Sequence, residues 1–142
     1  MESIKSFEQS FKNEVASHPG GGRVLNCFLC GTCTAGCPIS EIDAGYNPRK
    51  IMRKILLGFR DELLSSGEIW KCYQCHTCVA HCPQDVRFAD VIGVLRKIAQ
   101  DEGIVDSGFA QMVEDIDIDA RKRRLERVNQ LICDSISSLR GV

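Results

Sequence analysis

Apolar residues recur at helical spacing in four stretches of the chain. The second stretch follows Asn47-Pro48, a typical start in which Asn caps the helix and Pro takes its first position. It ends at Ser65-Ser66-Gly67, and the third stretch closes near Gly103. The 3.6-residue period predicts a helix for each stretch. In chain order the apolar positions are Ile4, Phe7, Phe11 and Val15; Met52, Ile55, Leu56, Phe59 and Leu63; Phe88, Val91, Ile92, Leu95 and Ile98; and Leu125, Val128, Ile132, Ile136 and Leu139.

Strands are not indicated anywhere. The run from Asp115 to Asp119 alternates acidic and apolar residues, but it is only five residues long. The pattern therefore predicts a mainly α protein. We expect Asp119 to cap a helix from about Ala120 to Leu139. Four basic residues would then lie near its N-terminus, where the helix dipole disfavours positive charge.

Composition narrows the class of protein. A chain of 142 residues favours a single domain, and a net charge of −1 gives no support for nucleic-acid binding. No apolar run approaches the roughly 18 residues that span a bilayer, and the first residues lack the apolar core of a signal peptide. We therefore expect a cytoplasmic protein, in which nine cysteines indicate metal or redox chemistry rather than disulfides.

Eight of these cysteines form an internal repeat. Each half has the spacing C-x2-C-x2-C-x3-C-P, and the two runs are 45 residues apart. An aromatic residue, a Thr and an Ala also coincide between the runs. The cysteines are Cys27, Cys30, Cys33 and Cys37 in the first run, and Cys72, Cys75, Cys78 and Cys82 in the second.

Evenly spaced cysteines of this kind are typical of iron–sulfur clusters. In two-cluster ferredoxins the first three cysteines of a run bind one [4Fe–4S] cluster, and the fourth binds the other. This rule predicts two clusters with crossed ligands. A zinc-stabilised interaction module is the alternative, although zinc sites usually use pairs of cysteines separated by a longer gap. The crossed sets are Cys27, Cys30, Cys33 and Cys82 for cluster 1, and Cys72, Cys75, Cys78 and Cys37 for cluster 2.

Residues 24–99 resemble the C subunit of heterodisulfide reductase, HdrC. The segments that carry the resemblance are Cys30-Gly31-Thr32-Cys33-Thr34-Ala35-Gly36-Cys37-Pro38, Asn47-Pro48-Arg49-Lys50-Ile51, Ile69-Trp70-Lys71-Cys72 and Cys78-Val79-Ala80-His81-Cys82-Pro83. The iron–sulfur subunits of anaerobic glycerol-3-phosphate dehydrogenase and of the fumarate reductase group are more distantly similar.

The resemblance implies an α-helical ferredoxin fold over residues 23–103, flanked by helical extensions at 1–22 and 104–142. It also implies two partners: an HdrA-like flavin-containing subunit, which supplies electrons, and an HdrB-like disulfide-reducing subunit, which receives them. The chain would then be the non-catalytic electron-transfer subunit of an oxidoreductase. The alternatives are an iron–sulfur subunit of another anaerobic dehydrogenase or reductase complex and a free two-cluster ferredoxin.

Outside the cysteine runs the sequence offers no catalytic motif: no phosphate-binding loop, no Ser-His-Asp order and no H-E-x-x-H. His76 and His81 are expected near a cluster or on the surface, because all four cysteine positions of their run are filled. Trp70 fits either a shield beside a cluster or the core. Cys133 is expected to be a buried structural thiol. A group of basic residues fits a solvated helix face, a cluster or an acidic partner: Arg49, Lys50, Arg53, Lys54 and Arg60.

Overall fold

A computed structural model describes residues 8–139, except for the side chains at 107 and 137–139. This part of the chain contains helices and turns and no strand, which confirms the mainly α prediction. Ile4 and Phe7 of the first predicted helix lie outside the described residues. The helices are α1 (Phe11–Ser17), α2 (Thr32–Ala35), α3 (Pro38–Ile42), α4 (Pro48–Leu57), α5 (Arg60–Ser65), α6 (Thr77–His81), α7 (Phe88–Asp101) and α8 (Ser107–Leu139), with 3-10 turns at Val24–Asn26 and Gly67–Trp70.

The chain divides into two compact units, one up to Val105 and one from Asp106 onward. Helix α1 belongs to the core of the first unit, because Phe11 and Val15 are fully buried there. Helix α1, which lies in the predicted N-terminal extension, therefore packs with the cluster-binding segment. The division of the chain into 1–22, 23–103 and 104–142 stays a prediction.

The repeat is visible in the backbone of the first unit. Leu29 and Gln74, 45 residues apart, both have left-handed backbones, with φ of 58° and 57°. Gly31 and His76 are also equivalent, with φ of 91° and 59°, and each precedes a short helix, α2 or α6. The two cysteine runs therefore fold into the same local shape, as the shared spacing predicts.

Helices α4 and α7 supply most of the core of the first unit. The offset between the halves falls from 45 to 40 residues here, since α4 begins at Pro48 and α7 at Phe88. At this new offset the buried positions of the two helices correspond. Each fully buried side chain of this size stabilises the fold by about 1.5–3 kcal/mol. The corresponding buried pairs are Ile51 and Val91, Met52 and Ile92, and Ile55 and Leu95.

Arg60 forms several contacts at the edge of this core. Its guanidinium donates hydrogen bonds to Glu14 of α1 at 2.8 Å and to Glu102 after α7, and it lies 5.9 Å from the Phe11 ring centre. Hydrogen bonding to Arg60 holds the pKa of Glu14 below its usual value. This contact therefore stabilises the fold above the ordinary carboxyl pKa and is lost as the pH falls through the lowered one.

The second predicted helix is two helices rather than one. Asn47 caps α4 as predicted, because its side chain accepts a hydrogen bond from the Lys50 amide at 3.0 Å. The helix ends at Leu57, before a left-handed Gly58 with φ of 84°. The amides of Gly58 and Phe59 donate back to Ile55 and Lys54, at 3.1 and 2.9 Å. This is a Schellman motif, and α5 then runs in a new direction to the predicted stop at Ser65.

The C-terminal helix begins earlier than predicted. Helix α8 covers 33 residues, so Asp119 lies in its interior and the prediction of a cap there is wrong. Asp106 lies at the start instead, where its carboxylate accepts a hydrogen bond from the Phe109 amide at 2.7 Å. The acidic run before Asp119 is helical as well. Arg121–Arg124 are consequently far from a helix N-terminus, and the expected dipole penalty does not arise.

Helix α8 is long, but it is rich in charged residues. Within residues 8–139 no helix is both long enough and apolar enough to cross a membrane.

We expect Gly58→Ala to lower the free energy of unfolding by about 1–3 kcal/mol. A Cβ at this position would lie 2.4 Å from the Glu8 carbonyl oxygen, and the backbone is left-handed. The measurement is urea unfolding of the cluster-loaded protein without oxygen, followed by circular dichroism.

Gly93→Ala is the matched control. Gly93 lies inside α7, is exposed, and has no heavy atom within 4 Å of an added Cβ. Replacing glycine by alanine in a helix should stabilise it by about 0.5–1 kcal/mol. Equal effects of the two substitutions would contradict the role of Gly58 as the helix stop.

Candidate metal centres

Two neighbouring cavities in the first unit are lined by the cysteines of the repeat. Cys78 and Phe88 line both, so the two cavities share a wall. The first cavity is lined by Cys27, Cys30, Cys33 and Cys82, and the second by Cys37, Cys72, Cys75 and Cys78.

The loops reach this arrangement through unusual backbone conformations. Left-handed residues lie between the first and third cysteines of each run, at Leu29 and Gly31 and again at Gln74 and His76. They turn the chain tightly, so that three thiols of one run meet at one cavity. Three of these four residues are not glycine and are strained. Such strain persists only where the surrounding structure holds it, and it is concentrated at functional sites.

Several hydrogen bonds already reach the sulfur atoms. The Cys30 thiol and the Thr32 hydroxyl share a bond of 3.3 Å, and the equivalent Cys75 thiol donates to Thr77 at 3.4 Å. In the first cavity the Val86 amide donates to the Cys82 sulfur at 3.3 Å. The repeat thus provides matching hydroxyl contacts to its second cysteines. Backbone groups also reach sulfur in both cavities, at Cys27 in the first and at Cys72 and Cys78 in the second.

Burial opposes the ionisation of four of these eight thiols. It raises the pKa of Cys27, Cys33 and Cys72, and it raises the pKa of Cys78 to about 11. Neighbouring thiols add to the effect, Cys82 on Cys27 and Cys37 on Cys72. Four buried thiolates without a cation are therefore unfavourable, and soft metal ions that bind thiolate remove this cost.

Cys30 differs, because the pKa of this exposed thiol is lowered. Hydrogen bonding to Thr32 is the main cause, and the positive charge of Arg49 contributes. Arg49 also lines the first cavity, so one member of the basic group faces a site. Lys54 instead pairs with Glu68 at 2.8 Å, and Arg60 pairs with Glu14.

The cavities fit iron–sulfur clusters by donor set. Each is lined by thiols from both runs, and otherwise largely by apolar groups. The buried hydroxyl of Tyr46, which meets no nitrogen or oxygen partner, also belongs to the lining of the second cavity. In the described part of the chain, no three His, Cys, Asp or Glu side chains are grouped to hold a single metal ion. Thiols that surround a cavity without converging on one ion suit a polynuclear cluster.

The sequence pattern did not indicate a role for Arg96, which binds the loop before the second run. Its guanidinium donates to the carbonyls of Ile69 at 2.9 Å, Trp70 at 3.2 Å and Cys72. It also stacks on the Trp70 ring at 5.2 Å from the ring centre. Trp70 is therefore half-buried in a cation–π contact that fixes the chain ahead of Cys72. In the sequence, a single arginine beside the apolar positions of a predicted helix gave no indication of this role.

The remaining residues considered from the sequence are partly or fully exposed. His76 is half-exposed in the lining of the second cavity, with Nδ1 3.8 Å from Asp90. His81 is exposed. Cys133 is exposed on α8, so the expectation of a buried thiol is wrong.

Comparison with known families identifies the class of domain. Residues 26–87, which contain both cysteine runs, match the family model of the 4Fe-4S dicluster domain. The segment is a two-cluster iron–sulfur domain, and the cofactors of the chain are [4Fe–4S] clusters. The relatives below, to which the chain is similar, are C-type iron–sulfur subunits of heterodisulfide reductases, the HdrC family.

One relative is the CoB–CoM heterodisulfide reductase iron–sulfur C subunit 2 of Methanocaldococcus jannaschii. It is 47% identical over 77 residues, which cover 54% of this chain and 40% of that protein. The C2 subunit of the H(2)/formate:CoB–CoM heterodisulfide,ferredoxin reductase of Methanococcus maripaludis is 37% identical over 110 residues, covering 72% and 59%. The CoB–CoM heterodisulfide reductase iron–sulfur C subunit of Methanopyrus kandleri is 43% identical over 80 residues, covering 56% and 41%. The chain spans about half the length of these curated relatives.

Proposed function

We propose that this chain relays electrons within a heterodisulfide reductase-like complex. An HdrA-like, flavin-containing subunit would supply the electrons, while an HdrB-like, disulfide-reducing subunit would take them up. By analogy with the named relatives, the disulfide would be that of coenzymes M and B. The observation that carries the proposal is the pair of cysteine-lined cavities with a shared wall at Cys78 and Phe88. Bound clusters supply one-electron redox chemistry.

The residues of the chain serve this role by binding and enclosure. The thiols hold the clusters, and the apolar cavity walls exclude water from them. The strained loops and Arg96 keep the cysteines in place, so little rearrangement accompanies a change of charge. The eight cysteines of the runs line the two cavities, so none of them remains as a nucleophile for a disulfide substrate.

We propose the crossed ligation of the clusters. Cys82 would complete the set of Cys27, Cys30 and Cys33, and Cys37 would complete that of Cys72, Cys75 and Cys78. The lining of the two cavities supports this assignment, and so does the influence of Cys82 on Cys27 and of Cys37 on Cys72.

Two double variants test the crossing. We expect Cys37→Ser with Cys75→Ser to damage only one cluster, because both residues would ligate it. Cys37→Ser with Cys27→Ser should damage both clusters. Iron and sulfide content, with electron paramagnetic resonance of the reduced protein, measures how many clusters remain.

Cys133→Ser is the control, since Cys133 lies on α8 outside both cavities, and it should keep the full iron content. The reverse pattern would show uncrossed ligation: one cluster retained in the Cys27 double variant and none in the Cys75 double variant.

The relay role predicts electron uptake without disulfide turnover. The isolated, cluster-loaded chain should accept one electron per cluster from a chemical reductant and return them to an artificial acceptor. Mixed in the reduced state with the coenzyme M–coenzyme B disulfide, it should not reduce the disulfide steadily. Anaerobic absorbance titration and thiol release measure the two properties. Steady thiol release by the chain alone would refute the non-catalytic role.

We also propose that α8 binds another member of the complex. This helix of 33 residues exposes large apolar side chains, among them Ile116 (66%) and Leu125 (58%). Isolated helices are marginal in water and gain most of their stability from packing an apolar face. Four consecutive basic residues, Arg121–Arg124, favour a partner surface with acidic groups. A free two-cluster ferredoxin has no use for such a helix.

Deletion of residues 106–142 should leave both clusters in place and abolish co-purification of partner subunits. In the full chain, Leu125→Ser with Ile132→Ser should weaken co-purification, because both side chains are about half exposed or more. Gln130→Ser on the same helix should have no effect. Loss of the clusters on deletion would assign the helix to the cluster fold, and unchanged co-purification would contradict its docking role.

A further inference from the structure

Tyr46 carries a buried hydroxyl that meets no nitrogen or oxygen partner. The residue is 1% exposed and lies between α3 and α4. Among the residues that the structure describes, its hydroxyl is the one buried side-chain group without a hydrogen bond to nitrogen or oxygen. Its backbone is satisfied, since its amide donates to Asp43 at 3.0 Å and its carbonyl accepts from Ser40 at 3.0 Å.

A buried hydroxyl without a partner is costly, because it has lost its bonds to water. Phenylalanine would fill the same space without this cost. The position of Tyr46 therefore indicates a sulfur partner, and its side chain hydrogen-bonds to Cys72. Its ring lines the second cavity together with Cys37, Cys72 and Cys78.

The sulfur atoms of this cavity influence the pKa of the Tyr46 hydroxyl. Burial raises the pKa of Tyr46 far above its usual value, and the thiols of Cys72, Cys37 and Cys78 raise it further. The phenol therefore stays protonated. It faces sulfur as a hydrogen-bond donor.

The other half of the repeat has no equivalent donor. At the 40-residue offset that relates α4 to α7, Tyr46 corresponds to Val86. Val86 is 4% exposed and lines the first cavity. There the backbone provides the contact, because the Val86 amide donates to the Cys82 sulfur at 3.3 Å. The Tyr46 amide is bonded to Asp43 instead, so its side chain alone can reach the second cavity.

We propose that Tyr46 donates its O–H to a sulfur atom of the cluster held in the second cavity, and thereby raises the reduction potential of that cluster. The inference rests on the proposed cluster ligation. Reduction adds one negative charge to the cluster, and a hydrogen bond to sulfur is stronger when the sulfur carries more charge. The donor consequently favours the reduced form, while the O–H bond stays intact and no proton is transferred. Tyr46 is a tuning residue for one cluster only.

The test is Tyr46→Phe in the full, cluster-loaded chain. Redox titration followed by electron paramagnetic resonance should show one midpoint potential lowered and the other unchanged. The equilibrium constant for reduction should fall on the order of tenfold, which is about 59 mV for a one-electron couple. Resonance Raman spectra in H₂O and D₂O should lose one solvent-isotope shift of an iron–sulfur band in this variant.

Tyr73→Phe is the matched control. Tyr73 lines the same cavity but is 44% exposed, so the same substitution there should leave both potentials unchanged. The chain has two tyrosines. Fluorotyrosine incorporated into the Tyr73→Phe protein therefore replaces Tyr46 alone. The more acidic phenol is a stronger donor and should shift the same potential upward.

Unchanged potentials in both the Tyr46→Phe and the fluorotyrosine proteins would overturn the proposal, as would equal shifts of both clusters. If Tyr46→Phe fails to bind its clusters, the fluorotyrosine protein decides the outcome alone. The relay function does not depend on this hydrogen bond. Two loaded clusters that exchange electrons at unaltered potentials would refute the inference and leave the proposed function standing.

Discussion

Each cavity is lined by thiols from both halves of the repeat, and the rest of the first unit depends on this exchange. Cys82 reaches the cavity of the first run, and Cys37 reaches that of the second. Neither half can form its cavity wall alone. Residues between the two runs must therefore return the chain to its own beginning: α4 packs against α1 and α2, and α2 packs against α6. We expect cluster binding and folding of this unit to be coupled for the same reason.

This arrangement costs free energy because the loops contain strained residues. Among residues 8–139, five residues other than glycine have left-handed backbones, and all of them are in or just after the cysteine runs: Leu29, Gln74, His76, Asp85 and Arg87. Burial of thiols adds to the cost by opposing their ionisation. Both terms are offset by apolar packing of the helices, by the carbonyl contacts of Arg96 and by bound metal. The strain is thus confined to the segments that hold the clusters, while the helices behind them are regular.

The two cavities share a scaffold but not their surroundings. Arg49 lines the first, and Tyr46 and His76 line the second. Hydrogen bonding and charge at sulfur are the means by which a protein sets cluster potentials. A repeat of this kind therefore places two similar centres side by side, and a few unmatched residues make them different. A difference in potential decides which centre holds an electron, while the donor and the acceptor decide the direction of transfer.

Much of the site follows from local sequence. Cysteine spacing indicated the clusters and the repeat, and Asn47-Pro48 indicated the start of α4, because these signals act over a few neighbouring residues. The helix break at Gly58 was missed, since helical period alone continues through it. The start of α8 was misplaced, because Asp106 and Asp119 are equally good caps in isolation. No sequence pattern indicated the roles of Arg96 and Tyr46. Arg96 binds carbonyls that lie 24 or more residues away along the chain. Tyr46 lines a cavity together with cysteines of both runs. Sequence thus indicated which thiols are candidates to bind metal, and tertiary structure decided which other groups surround them, because those contacts join residues that no local pattern relates.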